Sequence, residues 1–441
     1  MQRLLIKNCD VLMFEGVELD FLLQHDIWVE DNRIKAILPT DESQFEGEHD
    51  QIDGTGMLAV PGMINTHAHV PMVLFRGAAE DVPLNEWFNN YIFPMESNLT
   101  PEDVYWGAML GIAEMVEAGI TTVADHYFFM DEVAEAVKKG GIRGNLAWAV
   151  FEHQGIDQLN NTAEFITRWQ GKADNRIKTW LGPHSPYLCG PDFLQKCGHM
   201  AAELGVGIHL HVAETKEQVE ASLTEHGKTP LKILYEAGIL ERPTILAHCL
   251  YPTDDDLKII ADHNAGIGQA PKTYLRAGMG MSDIKKVLDH QIPLGLATDG
   301  AASSSTLDLF EQMRLMALTQ KNLQGDARAA NLNEILRIAF KGGAEVCQEP
   351  ELGELKPGKL ADIVLLRQDR AASMPRLNLA ANLVYALGAA DVDTVICNGQ
   401  VLFHQQQHLI LDKDVIRNEI EKRLERLVQR VPGKKIALYP T

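Results

Sequence analysis

Short apolar runs alternate with amphipathic segments from about residue 57 to residue 365. This alternation is typical of strands that alternate with helices in a parallel sheet. Eight of the runs have the character of strands, so the pattern predicts an α/β fold closed as a (β/α)8 TIM barrel. The predicted strands cover residues 57–60 and onward, 120–124, 146–150, 177–181, 206–212, 244–247, 265–268 and 293–297.

The two ends of the chain have a different pattern. Residues 3–38 and 361–411 contain strand-like runs separated by turns, and neither stretch could enclose a core of its own size. We therefore expect both ends to pair in one small β-sandwich domain beside the barrel. Apolar residues at helical spacing in residues 413–431 predict a closing amphipathic helix. The predicted domains are residues 1–57 (first part of the small β domain), 58–360 (barrel) and 361–441 (second part of the small domain with the helix).

Polar side chains follow the downstream ends of the predicted strands. In a (β/α)8 barrel the carboxyl ends of all strands meet at one mouth, so residues far apart in sequence become neighbours there. Histidines and carboxylates, the side chains that bind divalent metals, predominate at these ends. The residues concerned are His67, His69, Asp125, His126, His184, His211, Glu214, His248 and Asp299.

His67 and His69 are the first candidates for metal ligands. Alternate residues of a strand share a face, so both imidazoles should point into the barrel mouth. His211 can complete three nitrogen ligands, and residues 247–249 and 297–300 add a further imidazole and a carboxylate. Imidazole and carboxylate suit zinc or a similar divalent ion, and an open coordination position lowers the pKa of bound water toward neutrality.

Glu214 lies just past a strand end, and a carboxylate that is not itself a ligand is suited to moving protons. Residues 180–187 offer no lysine at the end of the fourth strand, where barrels with two bridged metals usually carry a carbamylated lysine. One metal is therefore expected, which leaves His184 free to hold substrate. His209 shares the face of His211 one layer deeper, and we interpret it as a packed interior histidine.

Charge and composition limit the function classes. The chain carries 40 Lys and Arg against 61 Asp and Glu, a net charge of −21, which argues against nucleic acid as a partner and favours a small-molecule substrate. No window approaches the roughly 18 unbroken apolar residues of a membrane span, and the first residues lack the apolar core of an export signal. Six cysteines without C-x-x-C spacing indicate reduced thiols. The sequence therefore predicts a cytoplasmic protein without a membrane partner.

Several longer motifs are specific enough to indicate a family. The chain resembles the amidohydrolase superfamily over nearly its full length, and within it the branch of 5-methylthioadenosine and S-adenosylhomocysteine deaminases and their triazine chlorohydrolase relatives. The motifs are PGMINTHAHVPMVLFRG at residues 61–77, LNEW at 84–87, FPME at 93–96, GPHSPY at 182–187, HVAET at 211–215 and GELKPGKLAD at 353–362.

This resemblance implies a role for each candidate residue. It implies one divalent metal ion per subunit, zinc in the first place with iron(II) and manganese(II) as alternatives, and a homo-oligomer. The implied metal ligands are His67, His69, His211 and Asp299. The implied catalytic residues are Glu214 as the proton shuttle, His248 beside the water or the developing charge, and Asp299. The implied substrate contacts are Glu96 with the ribose hydroxyls, His184 with the purine, and Glu214.

The expected reaction is the hydrolytic deamination of an aminopurine nucleoside of the methylthioadenosine, S-adenosylhomocysteine or adenosine type, with attack by metal-activated water. Two loops depart from the family pattern: residues 268–276 lack its asparagine-proline and serine-asparagine arrangement, and residues 151–160 lack an arginine present in some homocysteine-accepting relatives. A deaminase or chlorohydrolase of another heterocycle, such as guanine, a pterin or a triazine, therefore stays open. The remaining alternative is a binding protein that has lost catalysis.

Overall fold

The computed structural model describes residues 3–16, 18–43, 45 and 47–439. The strands of these residues form a parallel sheet and a separate mixed sheet. They are β1 Arg3–Glu15, β2 Glu18–Glu30, β3 Arg33–Pro39, β4 Asp50–Asp53, β5 Met57–Pro61, β6 Met63–His69, β7 Ile120–Tyr127, β8 Arg143–Val150, β9 Ile177–Pro183, β10 Ile208–Val212, β11 Thr244–His248, β12 Ala265–Gln269, β13 Leu294–Leu296, β14 Asp299–Gly300, β15 Ile363–Arg367, β16 Val392–Cys397, β17 Gln400–His404 and β18 Gln407–His408.

The parallel sheet has the strand order β13-β12-β11-β10-β9-β8-β7-β6-β14. β13 pairs with β12, whereas β14, which follows it directly in the chain, pairs with β6 through Asp299 opposite Ala68 and Gly300 opposite His69. β13 and β14 therefore act as two halves of one strand and return the sheet to its beginning. This arrangement confirms the predicted α/β barrel.

Helices connect the barrel strands, and several begin at a threonine that caps the free N–H groups of the first turn. The side chains of Thr100, Thr215 and Thr253 each accept from the backbone N–H three residues later. The α-helices are α1 Leu84–Glu86, α2 Phe93–Glu96, α3 Pro101–Glu117, α4 Met130–Gly140, α5 Gly155–Trp169, α6 Lys172–Asn175, α7 Pro191–Leu204, α8 Lys216–His226, α9 Pro230–Glu236, α10 Asp254–Ala261, α11 Pro271–Ala277, α12 Ile284–Asp289, α13 Ala301–Ser304, α14 Leu309–Gln324, α15 Leu332–Arg337, α16 Gly343–Val346, α17 Leu379–Tyr385 and α18 Lys413–Leu427. Short 3-10 helices cover Val70–Phe75, Glu152–Gln154, Ile239–Glu241, Ala371–Ser373 and Ala389–Asp391, and π-helical turns cover Trp87–Ile92 and Ile338–Gly342.

The prediction that the run from residue 57 begins the barrel is wrong for its first residues. The run that begins at residue 57 forms β5, which pairs with β1 and β15 in the mixed sheet, and the barrel begins at β6. Gly62 lies between the two strands. The position requires glycine, because a β-carbon there would lie 2.3 Å from the Thr121 Oγ1 atom. Both strands are buried, so the apolar run continues through the glycine and carries no signal for the change of sheet.

The mixed sheet is built from both ends of the chain, as predicted. Its strand order is β18-β17-β16-β15-β5-β1-β2-β3, with β4 beside β1. Alternate residues of its strands enclose a hydrophobic cluster distinct from that of the barrel, with Leu4, Ile6, Ile27 and Ile363 among its members. The division into residues 1–57, 58–360 and 361–441 stays a prediction, although β5 pairs within this sheet.

Two charged contacts attach the C-terminal part of the chain to the barrel. Arg143 at the start of β8 donates two hydrogen bonds of 3.0 Å to the Asp362 carboxylate, and all four atoms are buried. Arg426 in α18 contacts Asp103 in α3 at 2.6 Å. The helix predicted over 413–431 ends at Leu427. Among the described residues, no helix has both the length and the apolar character needed to cross a bilayer.

Candidate active site

Four side chains from distant strands meet at the carboxyl end of the barrel. The Nε2 atom of His69 lies 3.2 Å from the Nε2 atom of His211. The Oδ1 atom of Asp299 lies 3.4 Å from His69 Nε2 and 3.8 Å from His67 Nε2. The strand ends therefore bring together the predicted ligand atoms from β6, β10 and β14.

The Nδ1 atoms of His69 and His211 make hydrogen bonds with the backbone. His69 Nδ1 donates to the backbone oxygen of His126 at 2.5 Å, and His211 Nδ1 donates to the backbone oxygen of His184 at 2.9 Å. A carbonyl oxygen can only accept, so each ring carries its hydrogen on Nδ1 and a lone pair on Nε2. This is the orientation that outer partners impose on metal-bound histidines.

His67 is held differently and is fully buried. Its Nδ1 atom lies 2.9 Å from the Nε2 atom of His209 in the layer below, and its own Nε2 atom is buried without a hydrogen-bond partner. Since a buried imidazole nitrogen rarely goes unpaired, this atom indicates a missing partner. A divalent cation fits that place, because His67, His69 and His211 present ligand atoms within 4.8 Å of one another, as do His67, His248 and Asp299.

Burial also gives the three histidines the charge state that a metal requires. It lowers the pKa of His67, His69 and His211, and neighbouring imidazoles lower the pKa of His67 and His211 further. The rings are therefore neutral near pH 7 and keep a free lone pair. Three neutral imidazoles and a carboxylate form a donor set suited to zinc.

Glu214 lies beside this cluster with its two oxygens in different environments. Oε2 accepts from the Tyr187 hydroxyl at 3.3 Å and from the Gln218 amide at 3.4 Å. Oε1 faces the His248 Nε2 atom at 3.8 Å. Burial raises the pKa of Glu214, so its carboxylate is a stronger proton acceptor than that of an exposed glutamate. One oxygen is thus held by the protein while the other faces the site.

His248 is oriented by a tyrosine that the sequence did not suggest. The Ala270 N–H donates to the Tyr274 hydroxyl oxygen at 2.8 Å, and the same oxygen lies 3.3 Å from His248 Nδ1. The hydroxyl hydrogen can then point to Nδ1, which leaves the imidazole hydrogen on Nε2, toward Glu214.

His248 has a left-handed backbone, with φ of 71°, as does Asp299 with 61°. Such strained backbone is concentrated at functional sites.

Glu96 lines the cavity beside this cluster and is buried. It accepts from the Tyr127 hydroxyl at 2.7 Å, and burial raises its pKa to about 8. His184 stacks against Phe151 with ring centroids 4.8 Å apart, and its Nδ1 atom lies 3.0 Å from the Ser185 hydroxyl. Glu96 and His184 therefore line the same cavity as Glu214, the third predicted substrate contact.

The cavity has a volume of about 250 Å³ and a lining rich in aromatic side chains. Among the described residues that line the cavity, Arg276 is the only lysine or arginine, and its side chain is already paired with Glu80. The predicted site residues in the lining are His69, Glu96, His184, His211, Glu214, His248 and Asp299. The aromatic residues in the lining are Trp87, Phe88, Phe93, Tyr127, Phe128, Phe151 and Tyr187.

Three other polar residues near the strand ends lie outside the ligand clusters. Asp125 Oδ1 accepts from the Val70 N–H at 2.8 Å, and burial raises the pKa of Asp125 to about 7. His126 Nε2 lies 3.2 Å from the Gly182 oxygen. His209 is buried beneath His67, in agreement with its interpretation as an interior residue.

The two loops that depart from the family pattern both border the cavity. Residues 271–277 form α11, whose Thr273, Arg276 and Ala277 line it, and Phe151 lines it from the loop after β8. The carboxylate of Glu152 instead accepts from the Gly190 N–H at 2.7 Å. The departures therefore change the pocket wall and leave the ligand cluster intact.

The family model described as "Amidohydrolase family" matches residues 58–402. The chain belongs to the amidohydrolase family. Its family relatives include a 5-methylthioadenosine/S-adenosylhomocysteine deaminase from Desulforudis audaxviator, which is 39% identical over 97% of this chain and 100% of that protein.

Solved structures of similar proteins share this amidohydrolase fold. An adenosine deaminase from Xanthomonas campestris with bound zinc superimposes with a TM-score of 0.92 at 28% identity, over 96% of this chain and 98% of that chain. An atrazine chlorohydrolase from Arthrobacter aurescens complexed with zinc has a TM-score of 0.88 at 26% identity, over 96% and 100%. This amidohydrolase therefore resembles zinc-bound enzymes, and its own cluster fits a divalent metal.

Proposed function

We propose that this protein is a metal-dependent hydrolase that removes the amino group of an adenosine-type nucleoside and releases ammonia. The observation that carries the proposal is the position of Glu214 Oε1, which faces the site 3.8 Å from His248 Nε2 beside the ligand cluster. The similarity to 5-methylthioadenosine/S-adenosylhomocysteine deaminases over nearly the whole chain supports the same reaction class.

His67, His69, His211 and Asp299 would hold the metal in this proposal, and zinc is the ion proposed. A zinc ion bound there would lower the pKa of the hydrolytic water. The partnerless Nε2 atom of His67 and the carbonyl-held rings of His69 and His211 support this assignment.

Glu214 would take a proton from the hydrolytic water and pass it to the ring nitrogen next to the carbon under attack. Glu214, again a carboxylate, then takes the remaining water proton from the newly added hydroxyl and delivers it to the amine as the C–N bond breaks, so water supplies the oxygen of the product and ammonia leaves. The Nε2–H of His248 would donate to the oxygen as charge develops there. Asp299, whose carboxylate accepts from the Gly300 N–H at 2.8 Å and from the Ser303 hydroxyl at 2.9 Å, would orient the water.

Glu96 and His184 would bind the nucleoside in this proposal. Glu96 would pair with the ribose hydroxyls, and His184 would contact the purine from its stacked position on Phe151. The aromatic lining suits an apolar 5′ substituent such as a methylthio group. Since Arg276 is already paired with Glu80, the pocket offers less to a substrate with a free carboxylate.

An ammonia-release assay tests the proposal. The panel is 5-methylthioadenosine, S-adenosylhomocysteine, adenosine, guanine and an aminotriazine. We expect release from the adenosine-type nucleosides, with the methylthio compound preferred over S-adenosylhomocysteine. Zinc-loaded protein that releases no ammonia from any adenosine-type nucleoside would contradict the proposal.

A second candidate is a hydrolase of another heterocycle, and the similarity to atrazine chlorohydrolase supports it. The ligand cluster would serve both reactions, because only the leaving group differs. Chloride release from a chlorotriazine without ammonia release from nucleosides would favour this candidate.

We further propose that the enzyme acts in the cytoplasm as a homo-oligomer on a small molecule, without nucleic acid or membrane as partner. All six cysteines are free and buried, which suits a reducing compartment. Cell fractionation tests the location, and light scattering during size-exclusion chromatography tests the oligomeric state.

A further inference from the structure

The last described residues of the chain, 436–439, lie against the site although no motif includes them. We call this segment the C-terminal strap. Leu438 is exposed, whereas the Tyr439 side chain is buried between two walls of the cavity. Those walls are the segment 84–96, which carries Glu96, and the turn from Glu214 to Gln218.

The strap is paired to segment 84–96 through its backbone. The Asn89 side chain donates to the Tyr439 oxygen and accepts from the Tyr439 N–H, both at 3.0 Å. The Ile436 N–H donates to the Phe93 oxygen at 3.2 Å. The Tyr439 ring stacks on Phe88 with centroids 4.7 Å apart and an angle of 6° between the planes. Replacement of the tyrosine hydroxyl alone would leave all of these contacts in place.

The Tyr439 hydroxyl joins the second wall through Gln218. The Gln218 Oε1 atom accepts from the Glu214 N–H at 3.1 Å and from the Thr215 N–H at 3.4 Å. This fixes the direction of the amide, so its nitrogen faces Tyr439 and the Glu214 carboxylate. That nitrogen donates to the Tyr439 hydroxyl at 2.8 Å and to Glu214 Oε2 at 3.4 Å. The shorter bond to Tyr439 thus anchors the amide that holds Glu214.

We propose that Tyr439 is a positioning residue that acts through Gln218 to hold the Glu214 carboxylate with Oε1 toward the site. The inference rests on the proposed function of Glu214 as the proton shuttle. Without the tyrosine oxygen, the Gln218 amide loses its shorter partner, which weakens its Oε1 contacts with the two backbone N–H groups and lets its nitrogen move away from Glu214 Oε2. Tyr187 alone then holds that oxygen, at 3.3 Å. The Glu214 carboxylate would sample more orientations, and fewer of them would be productive.

The test compares Tyr439→Phe with the wild type and with Tyr385→Phe, a matched change at a partly exposed tyrosine outside the cavity. Kinetics are measured on the substrate for which the wild type releases ammonia. Zinc content and melting temperature are measured on all three proteins. Hydrogen exchange is measured by mass spectrometry on the peptide that contains the Glu214 and Thr215 amides, both of which donate to Gln218.

Tyr439→Phe should lower kcat by about fivefold, the rate equivalent of one neutral hydrogen bond of about 1 kcal/mol. KM, zinc content and melting temperature should not change, and the two amides should exchange faster. Tyr385→Phe should match the wild type in every measurement. An unchanged kcat, unchanged exchange, or a loss of kcat accompanied by loss of zinc or a lower melting temperature would overturn the inference.

The exchange measurement separates the two proposals. A wild type that deaminates no nucleoside contradicts the proposed function, whatever the exchange data give. Faster exchange at Glu214 and Thr215 in Tyr439→Phe would still support the link through Gln218, and unchanged exchange would still refute it.

Discussion

The Nε2 atoms of His69 and His211 lie 3.2 Å apart, although the two histidines are 142 positions apart in the chain. Each ring donates its Nδ1 hydrogen to a backbone oxygen, so two lone pairs face each other across this distance. Burial lowers the pKa of both rings, which disfavours a proton between them. A cation is the partner that makes this arrangement favourable.

Removal of metal should therefore destabilise the fold. Bound at about 1,000 times its dissociation constant, a ligand stabilises the native state by about 4 kcal/mol. We expect a chelator to lower the melting temperature and added zinc to restore it, as measured by calorimetry. His211→Ala should lose the zinc-dependent shift, whereas His226→Ala, at the end of α8 outside the clusters, should keep it. Equal melting curves with and without zinc in the wild type would contradict the assignment.

Glu214→Gln should separate metal binding from catalysis. The amide keeps the size of the side chain but cannot carry a proton between water and substrate, so kcat should fall by about two to four orders of magnitude. Zinc content should stay at the wild-type value because Glu214 is not in the ligand clusters. Glu220→Gln, on the exposed face of α8, is the control and should keep full activity. Near-normal turnover of Glu214→Gln would refute its assigned role.

The approach of the side chains at the strand ends could be predicted from the sequence, because the geometry of a parallel barrel requires it. Parallel strands place their carboxyl ends at one mouth, so the spacing of His67, His69, His211 and Asp299 relative to apolar runs was sufficient to expect their approach. The same rule does not tell which residues at the strand ends belong to the metal-ligand clusters. Asp125 also ends a strand, yet it accepts from the Val70 N–H and does not belong to the clusters.

Other features could not be predicted from the pattern of hydrophobic and polar residues. The change of sheet at Gly62 occurs inside a continuous buried run, where hydrophobicity is the same on both sides. The contact of Tyr439 with Gln218 joins residues 221 positions apart and depends on how the C-terminal strap is packed. Tyr274 orients His248 through a single hydroxyl, and periodicity identifies it only as a buried aromatic residue.

Glu96 should make stability depend on pH. Burial raises its pKa from 4.5 to about 8, so between these values the folded protein holds a proton that the unfolded chain releases. The stability contributed by this group is therefore present below pH 4.5 and is lost as the pH rises toward about 8. Glu96→Gln removes the titration, so the stability of the wild type relative to this variant should decline across that range. Denaturant unfolding at several pH values measures the difference, and a constant difference would contradict the raised pKa.

The most direct test of the account is anomalous diffraction from zinc-loaded crystals at the zinc absorption edge. We predict a single peak per subunit, at about 2.0–2.2 Å from nitrogens of His67, His69 and His211 and from an oxygen of Asp299. A peak elsewhere, two adjacent peaks, or no peak at this position in protein that contains zinc would contradict the central claim.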